Sequence, residues 1–175
     1  MQDNILFTSH FALLEFTESA TARKYGIDNT PTPEIVENIR SLCVNTLEPL
    51  REELGQPVII TSGYRCKALN DIISHHSNRS QHLKGQAADF YIGWCSPENG
   101  RGQSGDYCPT ARERLIRAFR LIITDKTIDY DQLILYPTFI HMSYASPAEN
   151  RHYILLAEAN GRYKRVSREM ALTLA

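Results

Sequence analysis

Apolar residues recur at helical intervals early in the chain and alternate with polar ones later. After Thr32 and Pro33, the residues Ile35, Ile39, Leu42, Cys43, Thr46, Leu47, Leu50 and Leu54 fall three or four positions apart. That spacing predicts one long helix with a single buried stripe. Thr32 suits the cap and Pro33 the first helical position. Gly55 ends the run, and Pro49 inside it predicts a kink. Shorter helices are predicted over 11–18 and 19–25, the second stopped by Gly26, and over 66–74 with Leu69, Ile72 and Ile73 inward. Thr110 and Glu113 form a capping box for a helix to about 124, with Leu115, Phe119, Ile122 and Ile123 inside.

The strands follow a different rhythm. "PVIIT" (57–61) reads as a short buried strand, followed by the turn "SGYR". Residues 86–92 read as a second strand, and "DQLILY" (131–136) and "TFIHMSY" (138–144) as two more, split by Pro137. "RHYILLAE" and "GRYKRV" flank Ala159-Asn160-Gly161 as a terminal hairpin, and a last short helix begins at Ser167. "HHSNRS" is a loop in which the adjacent His75 and His76 are solvated. Residues 93–109, rich in Gly, Pro and Ser, form a long surface loop. Helices first and short antiparallel strands after them predict an α+β fold. The expectation is one domain over 1–175: a small antiparallel sheet with helices packed on it.

Composition narrows the classes. The chain has 175 residues, 42% hydrophobic and 22% charged, enough for a real core. A net charge of −1 gives no electrostatic case for nucleic acid. No apolar run approaches the roughly 18 residues that span a membrane. The opening "MQDNILFTSHF" lacks a basic segment followed by an apolar one, so the expectation is synthesis in the cytoplasm without a signal peptide. Cys43, Cys66, Cys95 and Cys108 contain no CxxC pair, which argues against a cysteine zinc site. Cys43 falls on the apolar helix face, and Cys95 and Cys108 flank the long loop, where a bridge is one option.

The chemistry lies in three polar residues set among apolar ones. Strand alternation puts Ala87, Asp89 and Tyr91 on one face and Ala88, Phe90 and Ile92 on the other. A carboxylate there must be paired, hydrogen-bonded or bound to a metal. In "TFIHMSY", His141 shares a face with Phe139 and Ser143. His82 lies just before a turn at Gly85, near enough in sequence to converge with Asp89. Two histidines and one aspartate can hold zinc with a fourth position open to water. Each residue alone has a plainer reading: His141 as a hydrogen-bonded strand histidine, Asp89 as a partner of Arg65, His82 as a loop residue.

"SGYR" (62–65), Asn70, "SQHLKGQAAD" (80–89) and "FIHMSY" (139–144) together resemble the M15 family of zinc peptidases. "HFALLEF", "GIDNTP" and "LEPLRE" further resemble its small phage and prophage members. The resemblance covers roughly residues 5–145. It implies that His82, Asp89 and His141 are ligands of Zn2+, in a cleft over the sheet. It also implies that Arg65 steadies the carbonyl oxygen of the substrate and that Ser80 contacts substrate or orients the site, its plainer reading being a turn-forming hydroxyl; Tyr64 of "SGYR" is a further candidate substrate contact. The implied activity is hydrolysis of an amide bond in peptidoglycan stem or cross-link peptides, by a monomer, with phage-type release from the cytoplasm. Trp94 and Tyr107 on the long loop are candidate substrate contacts or simple anchors.

One position departs from the family. Many members carry an acidic general base three residues before the late histidine, and here that residue is Thr138. Asp131 and Tyr136 are the substitute candidates on the neighbouring strand. Tyr136, with an ordinary pKa near 10, suits donation better than proton abstraction. The departure also opens a second reading, a zinc-containing wall-binding or virion structural module with weak or absent catalysis.

Overall fold

The computed structural model describes residues 4–73, 78–93 and 110–174. Two short helices, α1 (Leu13–Thr17) and α2 (Ala20–Tyr25), lead into α3 (Pro33–Leu42) and α4 (Glu48–Leu54). Then come β1 (Val58–Ser62), α5 (Lys67–Ile72), a 3-10 turn (Gln81–Lys84) and β2 (Ala87–Ile92). The second half holds α6 (Ala111–Thr124), β3 (Gln132–Leu135), β4 (Ile140–Ser143), β5 (Tyr153–Ala157), β6 (Tyr163–Arg165) and α7 (Arg168–Leu172). This is an α+β fold. His75, His76, Trp94, Tyr107 and the Cys95–Cys108 bridge lie outside the described residues, as does the predicted loop beyond Gly93.

The six strands run in the order β1-β2-β4-β3-β5-β6. Every neighbouring pair is antiparallel except β3–β5, which is parallel. The sheet is mostly antiparallel, as expected, with one parallel pair. The β4 hairpin strand already occupies one side of β3, and the long return through 144–152 delivers β5 to the other side in the same direction.

The long helix also differs from expectation. Thr32 caps α3 and Pro33 begins it, as its composition predicts. Near Pro49, however, the helix widens into a π-helical turn over Cys43–Leu47 rather than simply kinking. Pro49 has no N–H for the Asn45 carbonyl. That carbonyl accepts instead from the Asp129 N–H at 3.2 Å, and the Thr46 hydroxyl donates to the Asp129 carbonyl at 2.8 Å. A distant segment thus satisfies what proline leaves open. In α5 only Leu69 of the predicted inner trio is buried; Ile72 is 44% exposed, because the helix ends before a full apolar face forms.

The core forms between one sheet face and the helices α3, α4 and α6. Ala88, Phe90 and Ile92 from β2, Leu133 and Leu135 from β3, and Ile140 and Met142 from β4 meet Leu42, Leu47, Phe119 and Ile122 there. Each large side chain fully buried in this way contributes about 1.5–3 kcal/mol. The Thr110–Glu113 capping box is formed in both directions and fixes the start of α6.

Gly85 joins this core to the 3-10 turn. Its φ of +67° is left-handed, and a Cβ would lie 2.9 Å from both the Cγ2 and the carbonyl oxygen of Ile35 on α3. Gly85→Ala is expected to destabilise the protein by about 2–4 kcal/mol, from the left-handed penalty plus overpacking. A lowered urea midpoint at unchanged slope would register it; an unchanged midpoint would mean that the turn relaxes freely.

Candidate metal centre and active site

β2 and β4 pair so that Asp89 stands directly opposite His141. Because alternate residues share a face, the pairing that buries Phe90 against Ile140 places Asp89 beside His141 on the opposite face. On the other side of β2, Ser62 of β1 stands opposite Asp89, next to an irregularity between Ile60 and Ser62. The chain then leaves β1 as the loop 63–66.

That loop holds the third member of the group, His82 of the 3-10 turn. The His82 carbonyl accepts from the Arg65 N–H at 3.1 Å. The His82 Nδ1 donates to the Gly63 carbonyl at 2.6 Å. This bond sets the tautomer, leaving Nε2 with its lone pair aimed at Asp89 and His141. The loop is held from behind. The Asn29 Nδ2 donates to the carbonyls of Thr17 and Tyr64, and its Oδ1 accepts from the Cys66 N–H. Gly63 is needed for close approach: a Cβ would lie 2.6 Å from the Cα and carbonyl oxygen of Phe16.

Three donor atoms converge. His141 Nδ1 lies 2.8 Å from Asp89 Oδ1 and 3.2 Å from His82 Nε2, and His82 Nε2 lies 3.4 Å from Asp89 Oδ1. Among the described residues they are the group placed to hold a metal ion. Ligands at ordinary zinc distances around a tetrahedral ion are ~3.3 Å apart, so the spacing suits one. The protonation states suit it too. Burial pulls the His82 imidazole below its ordinary value, against the pull of Asp89, so it stays neutral. Burial opposes ionisation of Asp89, yet His82 and His141 together hold its carboxyl well below the usual range. The His82 side chain is 3% exposed, His141 12% and Asp89 17%, so the group is reachable from the side of Asp89 and His141.

Arg65 is 5% exposed, with its Nη1 4.0 Å from Asp89 Oδ2. Nη1 donates to the Ser62 hydroxyl at 2.9 Å and Nη2 to the Ser80 hydroxyl at 3.4 Å, while the buried Nε has no hydrogen-bond partner among the described residues. Burial lowers its pKa, countered by Asp89 and Tyr136. A guanidinium in a protein stays charged nonetheless. Tyr64 packs against the core with its ring partly buried. Asn70 is buried with neither side-chain polar atom bonded.

The candidate bases separate. Asp131 is 2% exposed and gripped by Arg151, with Nε to Oδ1 at 2.7 Å, Nη2 to Oδ2 at 2.5 Å and the Arg151 N–H to Oδ1 at 2.9 Å. Burial raises its pKa, but these Arg151 bonds lower it more. Arg151 also reaches Gln81 in the turn that carries His82. Tyr136 is half-buried, and burial pushes its phenol well above the ordinary value, so it stays protonated. Ile134 pairs with His141, and Tyr136, two positions on and bonded through its N–H to the Phe139 carbonyl, falls on the same face of the sheet as His141. Thr138 is exposed in the β3–β4 turn. Sequence reasoning missed the Gly63 carbonyl, the Asn29 brace and Arg151. The "SGYR" and "GIDNTP" motifs hold the first two, but their role depends on contacts across 12 to 37 residues.

Residues 9–99, just over half of the chain, match the family described as Peptidase M15. Fold, donor set and match together define a metallopeptidase. The chain belongs to the peptidase M15 family. No curated protein sequence matches it significantly. The matched segment contains His82 and Asp89, while His141 comes from the part beyond it.

Proposed function

We propose that this chain, acting as one domain and as a monomer, is a zinc peptidase that hydrolyses an amide bond in peptidoglycan stem or cross-link peptides. The observation that carries the proposal is the convergence of His82 Nε2, Asp89 Oδ1 and His141 Nδ1 beside a buried arginine with an unbonded Nε. His82, Asp89 and His141 would hold zinc, which would supply Lewis acidity toward a carbonyl and lower the pKa of the attacking water. Arg65, already fixed by Ser62 and Ser80, faces the developing oxyanion and stabilises it. Ser80 and Tyr64 line the approach of the peptide. Tyr136, kept protonated by burial, donates a hydrogen bond to the oxyanion or the leaving group.

Asp131 is engaged by Arg151, and we assign it to fixing the turn that bears Gln81 and His82. Without a carboxylate at 138, proton removal from the water has less help, and turnover is expected to be low by about 100-fold or more. The same observation, Thr138 in the place of an acid, favours the second reading of a wall-binding or virion module. Release from the cytoplasm, as in phage lysis, fits a chain among whose described residues no helix is long and apolar enough to cross a membrane.

Mass spectrometry of muropeptides after digestion of purified peptidoglycan separates the two readings. Zinc-loaded wild type is expected to release new peptide fragments whose masses name the bond, and His82→Ala is not. Binding to the wall with no new fragment across a range of pH would overturn the enzyme and leave the module.

A further inference from the structure

The row of the sheet that ends at Tyr136 carries a second phenol. Leu135 of β3 pairs with Leu156 of β5, and Ala157, one position on, pairs with Tyr163 of β6. Tyr136, Ala157 and Tyr163 therefore follow one another across three strands. The two rings meet across that row. They do so edge to face, with centroids 6.1 Å apart at 81°, and their hydroxyl oxygens are 2.8 Å apart.

The rest of Tyr136 is fixed independently. Its ring stacks on Phe139 at 4.1 Å and 14°. Its N–H donates to the Phe139 carbonyl at 3.0 Å, and its carbonyl accepts from Arg112 Nη1 at 2.8 Å. The remaining freedom is the direction of the hydroxyl hydrogen, since a phenol both donates and accepts. Only Tyr163 is bonded to that hydroxyl among the described residues.

We propose that Tyr163 is a positioning residue: it donates to the Tyr136 oxygen and so turns the Tyr136 hydrogen toward the peptide at the metal centre. This rests on the peptidase reading above. It assigns a role to β6, at the sheet edge and outside the matched segment, through a hydrogen bond rather than a proton transfer. The sequence offered no signal for it, because the pair spans 27 residues and depends on the parallel register of β3 and β5.

The test uses zinc-loaded protein and soluble muropeptides. Tyr163→Phe, which keeps the ring, is expected to lower kcat about tenfold, the size of one hydrogen bond, with KM and zinc content unchanged. Tyr136→Phe should fall at least as far, and the double variant no further than Tyr136→Phe alone, because the first acts through the second. A second readout does not need turnover: with 13Cζ-labelled tyrosine, adding a muropeptide to His82→Ala protein should shift the Tyr136 resonance, and Tyr163→Phe should abolish that shift. Full kcat in Tyr163→Phe, additive losses in the double variant, or a Tyr136 resonance that ignores the muropeptide would each overturn the proposal. Wild type that cleaves nothing would instead defeat the peptidase reading, and the resonance would still decide whether the phenols face the peptide.

Discussion

Asp89→Ala protein is expected to bind zinc about 100- to 1,000-fold more weakly than wild type and to lose hydrolysis with it. Tight protein zinc sites bind by about 10–16 kcal/mol over four ligands, so one ligand carries roughly 3–4 kcal/mol. Asp89 is the only anionic member of the group, and both imidazoles lean on its Oδ1. Removing it leaves two neutral nitrogens beside the Arg65 cation, which repels a divalent ion. Competition with a chromophoric chelator measures the affinity. Thermal unfolding gives an independent check, because an ion that binds only the folded state raises Tm in wild type. Zinc should not raise it in the variant. Equal affinity in both proteins would place the ion elsewhere. Acid should weaken zinc binding in wild type as well, since the ligands must be deprotonated; the lowered pKa of His82 makes it a late ligand to protonate.

Arg65→Gln separates chemistry from metal binding. Its expected effect is a loss of about 100- to 1,000-fold in kcat, near 3–4 kcal/mol, as for removal of a donor aimed at an oxyanion. Zinc affinity should change far less, because the guanidinium is 4.0 Å from Asp89 and touches neither histidine within bonding range. Lysine is not expected to restore the rate. The guanidinium reaches Ser62 and Ser80 with two nitrogens and keeps Nε unbonded, whereas an ammonium is a single point of charge. Steady-state kinetics at saturating zinc, with bound metal measured in the same samples, resolves the two effects. A variant that loses zinc and activity together would reduce Arg65 to a structural partner of Asp89.

Where periodicity and local chemistry decide structure, the chain reads well. The caps at Thr32 and Thr110, the ends at Gly26 and Gly55 and the two faces of β2 all follow from spacing within a few residues. The same alternation that buries Phe90 places Asp89 on the opposite face, so its face was legible before its partners were. What was not legible depends on distant contacts. The π-helical turn needs Asp129 to accept the role that Pro49 refuses. The parallel pairing of β5 depends on which edge of β3 remains open. Nothing local announces Arg151, twenty positions later, as the partner of Asp131. Ile72 shows the opposite failure, an apolar residue at helical spacing on a helix too short to bury it.

The order of the strands has a consequence for how the protein comes into being. β4 is inserted between β2 and β3, so the third candidate donor arrives 52 residues after the second and must enter the sheet beside a strand made long before. A growing chain that has completed β2 already owns His82 and Asp89 but has no centre. Only the β2–β4 ladder, a contact between distant parts of the sequence, completes it, and such contacts form late and slowly. On the peptidase proposal, hydrolytic competence is tied to completion of that ladder, and a chain without β4 lacks the third candidate donor.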